Sequence, residues 1–178
     1  NDLAFDASSP TVRRAVISGC SVVLKNERSH AFLKNVLPEI SNCLFDVDRS
    51  VRSAMLDLLS ALKHIPTIQF WDVSPMPHLL ARLVHDPKSA ARKIVSILFR
   101  SFCPTDKPAM VKLERCAYLI EQNRVASRKF YVIASERFSV AESTRLILAI
   151  LIVLGRHAFQ LAKSLDILAW AMQSCSVA

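Results

Sequence analysis

One spacing constrains this chain more than any other: an apolar pattern with steps 0, 3, 4, 7, 8 and 11 occurs three times, at intervals of about forty residues. Val51, Ala54, Met55, Leu58, Leu59 and Leu62 carry it most clearly. Val12, Ala15, Val16, Gly19, Cys20 and Val23 repeat it upstream, and Ala91, Ile94, Val95, Leu98, Phe99 and Phe102 repeat it downstream. Such steps place six side chains on one face of an α-helix. A turn aspartate precedes each helix (Asp6, Asp46, Asp86), and an arginine follows each first apolar position (Arg13, Arg52, Arg92). A period near forty with two helices per unit is the mark of HEAT or armadillo arrays. The predicted fold is all-α, a HEAT-repeat α-solenoid of antiparallel helix pairs.

The first repeat is expected only as its second helix, with Ser9 as N-cap and Pro10 at the first helical position. The second is a hairpin. Leu33, Val36, Leu37, Ile40 and Leu44 form the face of its first helix, which should bend at Pro38, and Ser50 should cap its second. In the third, Ser74 and Pro75 open a helix bearing Met76, Leu79, Leu80 and Leu83, and Ser89 should cap its partner. Residues 1–103 then form regular repeats, 104–138 a divergent one, and 139–178 an apolar helical pair, all in one continuous array. In the divergent repeat, Leu113, Cys116, Ala117 and Ile120 should form one face, and Ala126, Phe130, Ile133 and Ala134 another.

The chain has 178 residues, enough for one ordinary domain, with 52% apolar residues and only two glycines. It begins without Met or a charged-then-apolar leader, so it reads as a piece of something longer. Five scattered cysteines suit buried thiols in a reducing compartment. The uncharged run between Arg145 and Arg156 has ten residues, about half of what a membrane-spanning helix needs.

No catalytic constellation is visible, and no cofactor, small-molecule substrate or membrane partner is implied. With glycine only at Gly19 and Gly155, no phosphate-cradling loop can form. The five histidines do not stand at zinc spacing with a cysteine pair. Asp46, Asp48, Ser50 and Asp57 occupy calcium-loop positions, but Val51 stands where such a loop needs glycine. Helix capping explains these acids better. Ser9-Pro10 and Ser74-Pro75 are minimal proline-directed phosphorylation sites and equally good helix starts. Arg13, Arg52 and Arg92 could form an anion stripe, but a ladder of ion pairs with the turn aspartates of adjacent repeats is the better reading.

The net charge of +8 is concentrated. Residues 92–137 hold ten Lys and Arg against four Asp and Glu, while residues 1–91 hold ten against nine. The candidate DNA-binding residues are Arg92, Lys93, Arg100, Lys107, Lys112, Arg115, Arg124, Arg128 and Lys129. Lys112 with Arg115, and Arg124 with Arg128, share helical faces, which suits backbone phosphates rather than base edges. A solvated face or an acidic protein partner remains open for the same block.

The stretch FWDVSPMPHLLARLVHDPKSAARKIVSILFRSFCPTDKP, residues 70–108, followed by ERCAYLIEQNRVASRKFYVIASE, residues 114–136, resembles the non-SMC, G-type HEAT-repeat subunits of condensin II. The resemblance spans roughly residues 1–138. It implies a nuclear, chromosomal scaffold that binds the kleisin subunit of condensin II and, through it, the SMC ATPase pair. It further implies that the subunit helps hold double-stranded DNA during mitotic chromosome condensation. The rival is a HEAT or armadillo adaptor of the transport-receptor or phosphatase-scaffold type, without nucleic-acid contact.

Overall fold

Pro38 divides the first helix of the central hairpin into two kinds of helix. Its ring removes the N–H that would reach the Lys34 carbonyl, so α2 (His30–Val36) passes into a nine-residue 3-10 segment, Leu37–Phe45. The predicted bend is therefore a change of helical pitch. Leu33, Leu37, Ile40 and Leu44 are buried as expected, joined by Cys43. The returning helix α3 (Arg49–Ala61) buries Val51, Met55, Leu58 and Leu59 with Leu56.

The computed structural model describes residues 2–5, 9–104 and 106–175, with backbone alone at 2, 109, 157–159 and 161–175. Asp6 lies outside the described residues. Every regular element among them is helical. Besides those named, they are α1 (Pro10–Val23), the one-turn α4 (Phe70–Val73), α5 (Met76–His85), α6 (Lys88–Phe102), α7 (Ala109–Gln122), α8 (Arg124–Ala134) and α9 (Val140–Cys175).

The helices pack in chain order, α1 on α3 and α3 on α6, while the 3-10 segment Leu37–Phe45 packs on α5. Next, α8 seats against α5 and α6, and α7 joins α6, α8 and α9. This near-neighbour order agrees with the expected array of stacked helix pairs. One continuous core runs from Ala4 to Ala134.

The arginine ladder forms. Arg13 Nε and Nη2 grip Asp46 at 2.7 and 2.9 Å, with both side chains under a tenth exposed. Arg52 stands 3.5 Å from Asp86 and donates to the Asp46 and Val47 carbonyls. The third rung differs: Arg92 pairs at 3.0 Å with Glu136, after α8. Asp86 is further held by Arg82, one turn before it.

Several expectations are corrected. Asp48 rather than Ser50 caps α3, accepting from Ser50 N at 2.7 Å and Val51 N at 3.3 Å. α6 starts after Pro87, without a side-chain cap from Ser89. Ser74 ends α4, and α5 begins at Met76. The acids at calcium-loop positions do structural work, as the capping reading expects: Asp48 caps α3, Asp46 holds Arg13 and Asp57 holds Lys93. One 36-residue helix, α9, stands where a helical pair is predicted after residue 139. Its length is about 54 Å. Gly155 does not break it, because an α-helix tolerates an isolated glycine at a cost of about 1 kcal/mol.

Two predicted faces are rotated, and for one reason. In α1, Arg13 and Ile17 are buried and Ala15, Gly19 and Val23 are exposed. In α7, Leu119 is buried and Ala117 and Ile120 are exposed. Each helix turns an arginine inward, Arg13 to Asp46 and Arg115 to carbonyls at the end of α6. Hydrophobic periodicity counts such residues as surface.

Candidate nucleic-acid interface

The basic block does not form one surface, because most of its cations have local work. Arg92 faces Glu136, which also takes Lys88 at 3.4 Å. The hydrogen bond from Arg92 holds the Glu136 carboxyl below the usual range. Lys93 bonds Asp57 at 2.7 Å and Ser53 Oγ at 2.9 Å, joining α6 to α3. Lys107 lies 3.6 Å from Asp106. Lys112 lines a small cleft with Cys103, Tyr131 and Glu142. Burial there pushes the Cys103 thiol up to about 12, the thiol of an inert core residue.

Two more candidates serve as helix caps. Lys129 Nζ donates to the Val84 and Asp86 carbonyls at 3.2 and 2.9 Å, where α5 ends. Arg115 Nη1 donates to the Ser101 carbonyl at 2.6 Å, at the end of α6. A cation at a helix C-terminus satisfies orphan carbonyls and opposes the negative end of the dipole.

Arg100, Arg124 and Arg128 remain. Arg124 and Arg128 stand one turn apart on α8, both exposed, and neither forms an ion pair among the described residues. Phe130, on the same helix, is fully buried in the core, and Tyr131 packs beside it, as predicted. α8 is positioned by the Asn123 cap, whose Oδ1 accepts from Ala126 N at 2.9 Å, and by Phe130 edge-on to Phe102 at 5.7 Å.

Arg100 and Arg115 belong to a different grouping, with two cations that the sequence reading missed. Lys63 follows α3 and Arg137 follows α8, and both line one cavity of about 540 Å³ with Arg100 and Arg115. Burial, then the charges of Arg137 and Arg100, push the Lys63 ammonium below its ordinary value. The available signal was spacing: Lys63, Arg100 and Arg137 stand 37 residues apart in both steps, at corresponding ends of α3, α6 and α8. A wider depression of about 840 Å³ between α1 and α3 carries Arg14 and Arg49, but also Asp48 and Asp57, so its charge is balanced. Among the described residues no cluster of His, Cys, Asp and Glu could hold a metal ion, and no helix is long and apolar enough to cross a membrane.

No family model and no solved structure matches the chain. It is 40% identical over 149 residues to condensin-2 complex subunit G2 of Xenopus laevis, 38% over 146 residues to that of Homo sapiens, and 39% over 148 residues to that of Danio rerio. These matches cover 84%, 82% and 83% of the chain. The chain spans about 13% of the length of each relative. At 38–40% identity over more than four fifths of its length, the chain belongs to the family of G-type condensin II subunits.

Proposed function

We propose that this chain is a non-catalytic scaffold segment of a nuclear, chromosomal condensin II complex. In this reading its helix pairs bind the kleisin subunit, which links it to the SMC ATPase pair, and its exposed cations contribute to double-stranded DNA binding during mitotic chromosome condensation. The similarity to condensin-2 subunit G2 over more than four fifths of the chain carries the reading. The exposed guanidinium groups of Arg124 and Arg128 support the DNA contact, since they share a face and form no ion pair with a carboxylate among the described residues. Lys129 does not join them, because its ammonium is turned to the end of α5.

The test is duplex DNA binding by the full-length subunit with its kleisin across a salt series. Each neutralised phosphate contributes about −0.9 to the slope of log K against log salt, so Arg124→Glu with Arg128→Glu should flatten it by about 2. Lys129→Ala should lower stability and leave the slope unchanged. An unaltered slope in the double reversal would remove these arginines from the DNA interface and favour a scaffold that contacts proteins alone.

A further inference from the structure

The cavity between the ends of α3, α6 and α8 has two chemistries that do not ordinarily meet on a solvated surface. Four cations, Lys63, Arg100, Arg115 and Arg137, line it, and among the described residues no carboxylate does. Its walls are apolar: Leu62 and Ile97 are buried, and Phe70, Trp71 and Phe99 stand around them. Trp71 is 56% exposed, held edge-on to Phe70 at 4.9 Å. On the opposite wall the Arg137 guanidinium lies 5.4 Å from the centre of the Phe99 ring. The Lys63 ammonium is held below its ordinary value first by burial and then by the charges of Arg137 and Arg100, so the cavity disfavours further positive charge.

We propose that this cavity is a docking site for an extended acidic peptide segment that inserts one aromatic or large aliphatic side chain beside Trp71. Charge complementarity selects the class. An acidic segment relieves the repulsion among the four cations, while an apolar anchor removes the exposed indole and the cavity walls from water. A duplex offers phosphates on a convex surface and nothing apolar to fill the walls. A single nucleic-acid strand would use a row of stacking rings; here Trp71 packs edge-on to Phe70, and Phe70 and Phe99 are half-buried. The site lies apart from Arg124 and Arg128, so it goes beyond the DNA contact proposed above.

The experiment is fluorescence polarisation with the full-length subunit bound to its kleisin. The probe is a fluorescein-labelled peptide of about twelve residues with Asp and Glu on both sides of one Phe. The proposal expects saturable binding, at least tenfold weaker when the peptide Phe is replaced by Ser, in Trp71→Ala, and in Arg100→Glu combined with Arg137→Glu. Arg124→Glu with Arg128→Glu should leave it unchanged. Trp71, Arg100 and Arg137 are exposed, and unchanged thermal melting of each variant separates a lost site from a lost fold. Absence of binding, binding indifferent to these variants, or Trp71-dependent competition by an oligothymidylate strand would each overturn the proposal. Binding seen only after the kleisin is removed would overturn it too, by making the kleisin the occupant. Loss of the salt-slope effect at Arg124 and Arg128, with peptide binding intact, would instead refute the DNA reading alone.

Discussion

The stacked pairs from α2 to α6 and the later helices α7 to α9 have similar apolar content but use it differently. In the first region the faces of α3 and α6 are closed, with Val51, Met55, Leu58, Leu59, Ala91, Ile94, Val95 and Leu98 all buried. In the second, α7 fully buries Leu119, and α9 leaves Ile147, Leu148, Leu151 and Leu154 more than half exposed. The ladder follows the same gradient, from a dry rung at Arg13–Asp46 to a solvated one at Arg92–Glu136. The Arg13–Asp46 rung is shielded, whereas Lys93–Asp57 and Arg92–Glu136 on α6 are partly solvated. On α8, Arg124 and Arg128 are exposed and form no ion pair among the described residues.

The strongest way to break this contrast is to remove one arginine from each end of the ladder. Arg13→Ala leaves Asp46 buried without its counter-ion, and should cost about 3–5 kcal/mol in denaturant unfolding. Arg92→Ala, at a half-exposed rung, should leave the midpoint essentially unmoved. Equal effects would erase the gradient.

A second comparison uses the cores. Leu59→Ala in α3, at 0% exposure, should cost about 2–5 kcal/mol, because the surrounding helices cannot collapse onto the cavity. Ile147→Ala in α9, at 57% exposure, should change stability by no more than about 0.5 kcal/mol. A large loss at Ile147 would mean that α9 is packed as tightly as α3.

The smallest effect is on pH dependence. The Arg13 hydrogen bond holds the Asp46 carboxyl below its ordinary value of 3.8. A carboxyl with a depressed folded pKa contributes stability that is complete above the unfolded value and lost as pH falls through the folded one. The wild-type acid limb should therefore steepen below pH 3.8, and Asp46→Asn should flatten it. Thermal melting across that range measures the difference.

Much of the fold was legible in the chain itself. The forty-residue period placed α3 and α6, and the paired spacing of Arg13, Arg52 and Arg92 with the turn acids announced the ladder. Where the pattern misled, an inward arginine was responsible: Arg13 and Arg115 rotate their helices by satisfying a carboxylate or carbonyls that no apolar count includes. The candidate site was less legible. Of the nine candidate cations in the basic block, Lys129 and Arg115 became helix caps and Arg92, Lys93 and Lys107 entered ion pairs. Lys63, upstream of the block, and Arg137, its last cation and not among the nine candidates, joined Arg100 and Arg115 around a common cavity.

The sequence by itself determined the all-helical class, the repeated helices α3 and α6 and the family, because apolar periodicity and turn chemistry are local and repeat along the chain. Only the tertiary structure decided which cations remain free and which converge. That depends on what stands across from each side chain, and ends of helices 37 residues apart become neighbours only when the pairs stack.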